Sequence, residues 1–136
     1  MNKDIPQAAG DQNGRELTYR VAAMPADTNA YGDIFGGWVM SQVDLAGSIL
    51  AIREAGGRVA TVAIKEFRFI TPVAVGDLLS CYAQISAVGN TSITVHVVAE
   101  ASRQLQQNTL HTVADATIVY VALDADGQPR PVRAEN

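Results

Sequence analysis

The alternation of hydrophobic and polar positions along the chain predicts one long helix and five strands. Leu17 to Met24 forms the first predicted strand, and a loop rich in turn-forming residues follows it as far as Asp33. Beyond the helix, hydrophobic side chains recur at every second position, which is typical of strands. The four strands predicted in this way are residues 61–70, 79–87, 92–100 and 110–123. Because the turns between them are short, we expect these four strands to form an antiparallel meander.

Residues 38–55 form the predicted helix, which a glycine pair precedes and another follows. The apolar positions at helical spacing are Val39, Val43, Ala46 and Leu50. Neighbouring positions are apolar as well, so the helix should be buried on most of its sides. One long curved sheet can wrap such a helix. The pattern therefore predicts an α+β fold, an antiparallel sheet of about five strands around one long central helix.

Two further features concern the organisation of the chain. Within residues 61–70 the alternation changes parity near Lys65 and Glu66, which predicts a β-bulge or a strand covered on both faces. We expect a single domain over residues 17–123, a flexible N-terminal arm over residues 1–16, and a polar C-terminal tail over residues 124–136.

Composition and charge exclude several classes of protein. A net charge of -4 and a pI of about 5.0 argue against a broad nucleic-acid-binding surface. The single cysteine, Cys81, cannot form an intramolecular disulfide, and its strand spacing predicts buried packing. The N-terminal residues lack the apolar stretch of a secretory signal, so we expect a cytoplasmic protein. Residues 34–52 are long enough to span a membrane, but a central Asp44 costs about 2.5–3.5 kcal/mol on insertion. We therefore expect no membrane insertion.

Asp44 is the residue that stands out, because it is the only charged residue between Ile34 and Ile52. Burial of a carboxylate is costly unless the group is paired or hydrogen-bonded. One interpretation is a structural aspartate bonded to nearby backbone or to Ser48, one turn further on. The other is a carboxylate kept in an apolar cleft to act as a base or a nucleophile.

Two other features could supply chemistry near the helix. Gly36 and Gly37 open it, and backbone N–H groups at a helix start have no intrahelical acceptor. Such donors can stabilise an oxyanion, although an ordinary turn into a helix has the same sequence. Asn29 either shapes its loop or orients a water molecule or a carbonyl group. His96 and His111 lie on predicted strands without metal-ligand spacing, so we expect no metal site and interpret both as surface or hydrogen-bonded histidines.

Residues 25–44 read P-A-D-T-N-A-Y-G-D-I-F-G-G-W-V-M-S-Q-V-D. This segment resembles the signature of bacterial acyl-CoA thioesterases of the YciA type. The resemblance continues through residues 57–62, 72–77 and 120–122, and it extends over about residues 17–132. It implies a hotdog fold, in which a sheet wraps a central helix, and the hydrolysis of acyl-CoA without a metal or cofactor. It also implies dimers whose sheets join, commonly assembled as hexamers, that is, trimers of dimers.

The resemblance assigns roles to particular residues. The catalytic aspartate of the family corresponds to Asp44, and its motif asparagine corresponds to Asn29. Because the family's site forms between two subunits, these two residues can come from different chains. The oxyanion donors correspond to Gly36 and Gly37. Asp44 would either activate a water molecule or attack the carbonyl carbon itself, and the sequence leaves both mechanisms open.

The phosphates of coenzyme A would need cationic or hydroxyl partners. The candidates are Arg58, Lys65, Arg68, Arg103, Thr91 and Ser92. Two other functions compete with hydrolysis. Hotdog hydratases and dehydratases place a histidine at the catalytic position, whereas neither histidine here lies on the predicted helix. A non-catalytic acyl-CoA-binding protein is the remaining alternative, and an assay for thiol release distinguishes it from a thioesterase.

Overall fold

The structure is a computed structural model and describes residues 13–103 and 109–133. Most of the predicted N-terminal arm, the polar loop at residues 104–108 and the end of the tail lie outside the described residues. The elements are β1 (Glu16–Ala22), a short 3-10 turn (Pro25–Asp27), α1 (Gly36–Ala55), β2 (Val59–Phe69), β3 (Leu78–Val88), β4 (Ser92–Arg103) and β5 (Thr109–Ala122). One long helix and a five-stranded antiparallel sheet confirm the predicted α+β architecture.

The order of strands in the sheet is β1-β3-β4-β5-β2. The predicted four-strand meander is therefore wrong in one respect, because β2 pairs with β5 and β3 pairs with β1. The cause lies in the connection between β2 and β3. The N–H of Gly76 donates to the Ala23 carbonyl at 2.8 Å, and the N–H of Ala23 donates to the Asp77 carbonyl at 2.9 Å. These bonds place the start of β3 beside the end of β1, so no β2–β3 hairpin forms.

Helix α1 packs against the sheet and contacts all five strands. Its 20 residues span about 30 Å, and its buried positions are Val39, Val43, Ala46, Gly47, Leu50, Ala51 and Ala55. The helix begins at Gly36, two residues before the predicted start, and ends at Ala55. Gly56 caps it, with a φ of 66° in the left-handed conformation. Among residues 13–103 and 109–133, no helix is apolar enough along its length to cross a membrane.

Strand β2 forms one edge of the sheet and has two irregularities. Its register against β5 shifts between Thr61 and Ala63 and again between Ile64 and Glu66. The second shift confirms the bulge that the change of parity predicts. Hydrophobic side chains on this edge strand are exposed, and Val62 retains 57% of its accessible surface. An exposed edge strand with apolar side chains is a typical site of association with another chain.

A buried ion pair fixes the connection between β2 and β3. Asp77 is 1% exposed and accepts two hydrogen bonds from Arg103, from Nε at 3.0 Å and from Nη2 at 2.9 Å. The N–H of Ala74 donates to the same carboxylate at 2.9 Å. Because the geometry is bidentate and the carboxylate is fully enclosed, the pair anchors the connection to the end of β4.

Candidate active site

Asp44 lies in the middle of α1 and faces strands β2 and β5. Thr61 Oγ1 donates a hydrogen bond to Asp44 Oδ1 at 2.8 Å. The hydroxyl of Tyr120 donates to the Asp44 backbone carbonyl at 2.7 Å and also lies 3.1 Å from Oδ1. Ser48 is not a partner of Asp44, because its hydroxyl donates to the Leu45 carbonyl at 2.6 Å. The carboxylate is therefore held by the sheet rather than by its own helix.

The register of the sheet explains why two hydroxyl groups meet at this carboxylate. Thr61 on β2 and Tyr120 on β5 are directly opposite each other in the antiparallel pair. Directly opposed residues share a face and have Cβ atoms about 5 Å apart. The register shift that follows Thr61 lies next to this pair. Both hydroxyls consequently point at the same turn of α1.

The two oxygens of the Asp44 carboxylate differ in their surroundings. Oδ1 accepts from Thr61 and is in contact with the Tyr120 hydroxyl. Within residues 13–103 and 109–133, Oδ2 accepts no hydrogen bond. Because Asp44 is only partly buried, a water molecule or a substrate can approach this second oxygen.

Tyr120 is a fully buried phenol beside a carboxylate. Burial raises the pKa of Tyr120 well above its ordinary value, and the charge of Asp44 and the hydrogen bond to it act in the same direction. The phenol therefore stays protonated throughout the pH range in which a protein works. Its hydroxyl is a permanent donor toward Asp44.

The start of α1 presents two free backbone donors. The N-cap residue Phe35 supplies no side-chain cap, and within the described chain neither Gly36 nor Gly37 donates its N–H to any acceptor. A Cβ on Gly36 would lie 3.3 Å from the ring of Phe69, whereas a Cβ on Gly37 would meet nothing within 4 Å. Free N–H groups at the positive end of a helix dipole favour an anionic oxygen.

Asn29 lies in the loop before α1 and organises it. Its side-chain Oδ1 accepts hydrogen bonds from the N–H of Tyr31 at 2.9 Å and of Asp33 at 3.1 Å. The Nδ2 group remains a donor with no acceptor in the described part of the chain. No hydrogen bond joins Asn29 to Asp44 among the residues described. The structure of one chain therefore supports the loop-shaping interpretation and leaves Nδ2 able to donate elsewhere.

The candidate phosphate ligands divide between the two ends of the sheet. The main chains of Arg58 and Thr91 flank the end of β5, since Leu123 donates to the Arg58 carbonyl and Ala122 to the Thr91 carbonyl, both at 2.9 Å. Ser92 is adjacent to Thr91. The guanidinium of Arg58 forms no ion pair within the described residues.

Two other cationic candidates have partners within the chain. Arg68 lies at the far end of β2 and pairs with Asp115 at 3.3 Å. Arg103 is committed to the buried Asp77, which removes its guanidinium from the set of free cations. Lys65 is exposed in the middle of β2. A single chain therefore brings Arg58, Thr91 and Ser92 to one end and leaves Arg68 apart from them.

An apolar cleft of about 250 Å³ opens beside the start of α1. Its lining consists of Ile34, Gly36, Val39, Phe69, Ile70, Thr71, Pro72, Val73 and Val113. Apart from Thr71, the side chains in this lining are hydrocarbon or aromatic. A cleft of this composition suits an apolar group better than a charged one.

The histidines and the cysteine lie outside this site. His96 pairs with Asp115, with 2.7 Å between Nε2 and Oδ1, on the face of β4 opposite the buried Val95 and Val97. His111 contacts the Thr109 hydroxyl at 3.2 Å. Cys81 is buried as predicted, and burial raises the pKa of its thiol to about 12. No cluster of three metal-ligating side chains occurs in residues 13–103 and 109–133.

The roles of three residues of the site were not predicted from the sequence. Nothing in the sequence marks Thr61 or Tyr120 as a partner of Asp44, because hydroxyl side chains are common on strands. Their position beside Asp44 depends on the register between β2 and β5. Gly47 did carry a signal, since a glycine inside a helix is unfavourable. A Cβ at Gly47 would lie 2.5 Å from the Tyr120 hydroxyl oxygen, so glycine is what allows the hydroxyl to reach the helix.

Comparison with known proteins identifies relatives of the chain. The sequence profile of the thioesterase superfamily matches residues 31–106. The acyl-CoA thioester hydrolase YciA of Salmonella typhimurium is 49% identical over 121 residues, which are 86% of this chain and 90% of that protein. A hexameric thioesterase from Yersinia pestis is 41% identical, with a TM-score of 0.83 over 96% of this chain and 100% of the other.

A more distant structure carries a ligand. The acyl-CoA hydrolase of Staphylococcus aureus, solved with butyryl coenzyme A and coenzyme A, is 30% identical, with a TM-score of 0.75 over 83% of this chain and 68% of the other. Structures of that hydrolase also exist with alanine in place of an asparagine, an aspartate or a threonine. The three replaced residues have the same sequence spacing as Asn29, Asp44 and Thr61.

Proposed function

Because the chain belongs to the thioesterase superfamily, we propose that it is an acyl-CoA thioesterase, which hydrolyses the thioester of acyl-CoA to a free carboxylic acid and coenzyme A. One observation carries the proposal. Asp44 is a carboxylate on a central apolar helix, with Oδ1 held by the sheet and Oδ2 without a hydrogen bond from any described residue. The proposal includes a cytoplasmic location, which the single unpaired cysteine supports.

The relatives support both the activity and the assignment of residues. The Salmonella protein is named for acyl-CoA thioester hydrolysis, and the Staphylococcus hydrolase was solved with coenzyme A ligands. The asparagine, aspartate and threonine replaced in that hydrolase are spaced as Asn29, Asp44 and Thr61 are here. We assign Asp44 as the reacting carboxylate and Asn29 as a donor to the attacking water or to the carbonyl oxygen.

The chemistry follows from these groups. As a general base, Asp44 Oδ2 accepts a proton from water while the water oxygen bonds to the carbonyl carbon. The carbonyl electrons move to oxygen, and the oxyanion accepts hydrogen bonds from the N–H groups at Gly36 and Gly37. When the C=O bond re-forms, the C–S bond breaks, and the proton on Asp44 passes to the departing thiolate. As a nucleophile, Oδ2 would bond to the carbonyl carbon, expel the thiolate and leave a mixed anhydride for water to hydrolyse.

We propose that each site is shared between two subunits. At 1.5 Å per residue, Asp44 lies about 10 Å along the axis from Gly37, too far for both to act on one carbonyl group within a chain. An antiparallel partner helix would bring its own Gly37 and Asn29 toward Asp44. Joining of two sheets through the exposed β2 edges would place the helices in this way, and the dimers would assemble further as a trimer of dimers.

The same arrangement bears on the coenzyme A phosphates. Arg58 precedes β2 and Arg68 lies near its end. Ten residues at 3.3 Å per residue separate them by about 33 Å, so one chain cannot offer both to one phosphate. We propose that Arg58, Thr91 and Ser92 bind the phosphates from one subunit. Arg68 can join them only from the partner across the β2 edge. The apolar cleft beside Gly36 suits the acyl group.

The experiment for the activity is thiol release from a series of acyl-CoA esters of increasing chain length. We expect turnover with several of them and free coenzyme A as the product. Binding of acyl-CoA without any thiol release would instead establish the alternative, a non-catalytic acyl-CoA-binding protein. The buried Cys81 thiol should contribute little to the signal, because its pKa of about 12 leaves it protonated.

The experiment for assembly is light scattering of the double variant Val62→Lys/Ile64→Lys. Both side chains are exposed on the edge strand, at 57% and 37%, so lysine fits the folded chain but places charge on the joining edge. We expect oligomers from the wild type and smaller species from the variant. Lys65→Arg on the same strand serves as the matched control. Wild-type assemblies from the double variant would place the interface elsewhere.

A further inference from the structure

The contact of Tyr120 with the central helix is the feature that hydrolysis by Asp44 alone does not require. Tyr120 is 0% exposed and projects from β5 into the core, where a phenylalanine would fill nearly the same space. Its hydroxyl instead reaches the helix at the residue that carries the reacting carboxylate, 2.7 Å from the Asp44 carbonyl and 3.1 Å from Oδ1. Within the described residues, both hydrogen-bond contacts of this buried hydroxyl are therefore with Asp44.

Gly47 is the second half of this arrangement. It lies three residues after Asp44, on the same side of the helix, and it is buried in the helix interior. Glycine is one of the poorest helix formers, so its presence there calls for a local cause. A Cβ added at Gly47 would lie 2.5 Å from the Tyr120 hydroxyl oxygen. The same Cβ would lie 3.2 Å from Val97 Cγ2 and 3.3 Å from Tyr120 Cζ. Any other residue would push the hydroxyl away from Asp44.

The consequence concerns which carboxylate oxygen reacts. Rotation about the Cβ–Cγ bond of an aspartate would ordinarily exchange its two oxygens, because that torsion is soft. Here Tyr120 and Thr61 both approach Oδ1, from β5 and β2, so the carboxylate plane is fixed from two sides. Oδ2 is then the oxygen that accepts no hydrogen bond within residues 13–103 and 109–133, and it is available to a water molecule or a substrate.

We propose, on the basis of the thioesterase function above, that Tyr120 is a positioning residue that fixes the carboxylate plane of Asp44 so that Oδ2 is the reacting oxygen, and that Gly47 is required for this contact. Tyr120 touches no reacting atom and acts only through Asp44. Its loss should therefore change the chemical step and leave substrate binding nearly unchanged.

The test measures steady-state thiol release from butyryl-CoA together with thermal unfolding. Tyr120→Phe should lower kcat by about 10- to 100-fold, the scale of a misplacement near 1 Å, with KM nearly unchanged. Tyr19→Phe is the matched control, because it also removes a tyrosine hydroxyl from the sheet, one without a hydrogen bond in the described residues. In an Asp44→Asn background, Tyr120→Phe should cause no additional loss, since the two residues act as one unit.

Gly47→Ala provides an independent route that keeps the phenol. It should lower both kcat and the melting temperature, because the new methyl group displaces the hydroxyl. The double variant Gly47→Ala/Tyr120→Phe should regain part of the melting temperature but none of the kcat.

The inference is overturned by a folded Tyr120→Phe or Gly47→Ala enzyme with wild-type kcat, or by additive losses in the Asp44→Asn background. A wild-type protein that releases no thiol would overturn the proposed function, and this inference with it.

Discussion

At the scale of single residues, Asp44 shows which part of a site a sequence can identify. A lone charge in an apolar helix is visible in the pattern, because burial of an unpaired carboxylate is costly. Its partners are not visible, since Thr61 and Tyr120 lie 17 and 76 residues away along the chain. The near neighbour Ser48, an obvious candidate, bonds to the backbone of its own helix instead. The local sequence pattern thus identified the Asp44 carboxylate but not the hydroxyl groups that orient it.

Thr61 gives a prediction at this scale. Thr61→Val has nearly the same shape but removes the donor to Asp44 Oδ1. A hydrogen bond to a charged group contributes about 1.5–3 kcal/mol, so we expect kcat to fall by about 10- to 100-fold in a folded protein. Thr61→Ser keeps the hydroxyl and should retain most of the activity. Equal kcat values for the valine and serine variants would show that the hydroxyl is not used.

At the scale of secondary-structure elements, periodicity predicted every strand and the helix, because burial of one face imposes a period of two or 3.6 on the sequence. The parity change near Lys65 even indicated the bulge in β2. The predicted pairing of β2 with β3 was wrong. A short connection favours a hairpin, but the Gly76 N–H donates to the Ala23 carbonyl and the Ala23 N–H donates to the Asp77 carbonyl. These two hydrogen bonds direct β3 to the opposite side of the sheet. With β2 assigned to the wrong neighbour, the opposition of Thr61 and Tyr120 could not be foreseen.

The start of α1 gives the prediction for this scale. A methyl group on Gly37 meets no atom within 4 Å in the folded chain, and alanine favours a helix. Gly37→Ala should therefore leave the melting temperature unchanged or raise it slightly. If a thioester oxygen approaches the free N–H there, the same methyl group should hinder it and lower kcat/KM. Unchanged kcat/KM across short and long acyl-CoA esters would argue that this helix end is not the oxyanion site.

At the scale of the whole molecule, the sequence predicted the α+β fold, whereas the joining of two sheets and the trimer of dimers were predicted only through the family resemblance. A hydrophobic pattern indicates that side chains are buried, but it does not indicate whether they are buried by the same chain or by a partner subunit. The exposed Val62 and Ile64 on β2 become informative only once β2 is known to be an edge strand. In the proposed mechanism, the distance of about 10 Å from Gly37 to Asp44 requires a second subunit to complete the site.

Subunit mixing tests this dependence. Asn29→Ala and Asp44→Asn proteins should each be nearly inactive. After unfolding and refolding together, a mixed dimer would contain one site with both residues intact and one site with neither. We expect activity to reappear in the mixture but not in either protein refolded alone. Mixed dimers that remain as inactive as their parents would show that Asn29 and Asp44 do not share a site across the interface.

The most direct measurement is the turnover of Asp44→Asn. Asparagine keeps the shape and can still accept from Thr61, so the variant should fold, assemble and melt as the wild type does. It cannot take a proton from water or attack as a carboxylate, and we predict that kcat falls by about 10²- to 10⁴-fold, the contribution of a general base. A folded, assembled Asp44→Asn protein that releases thiol from acyl-CoA at near wild-type rates would contradict the account.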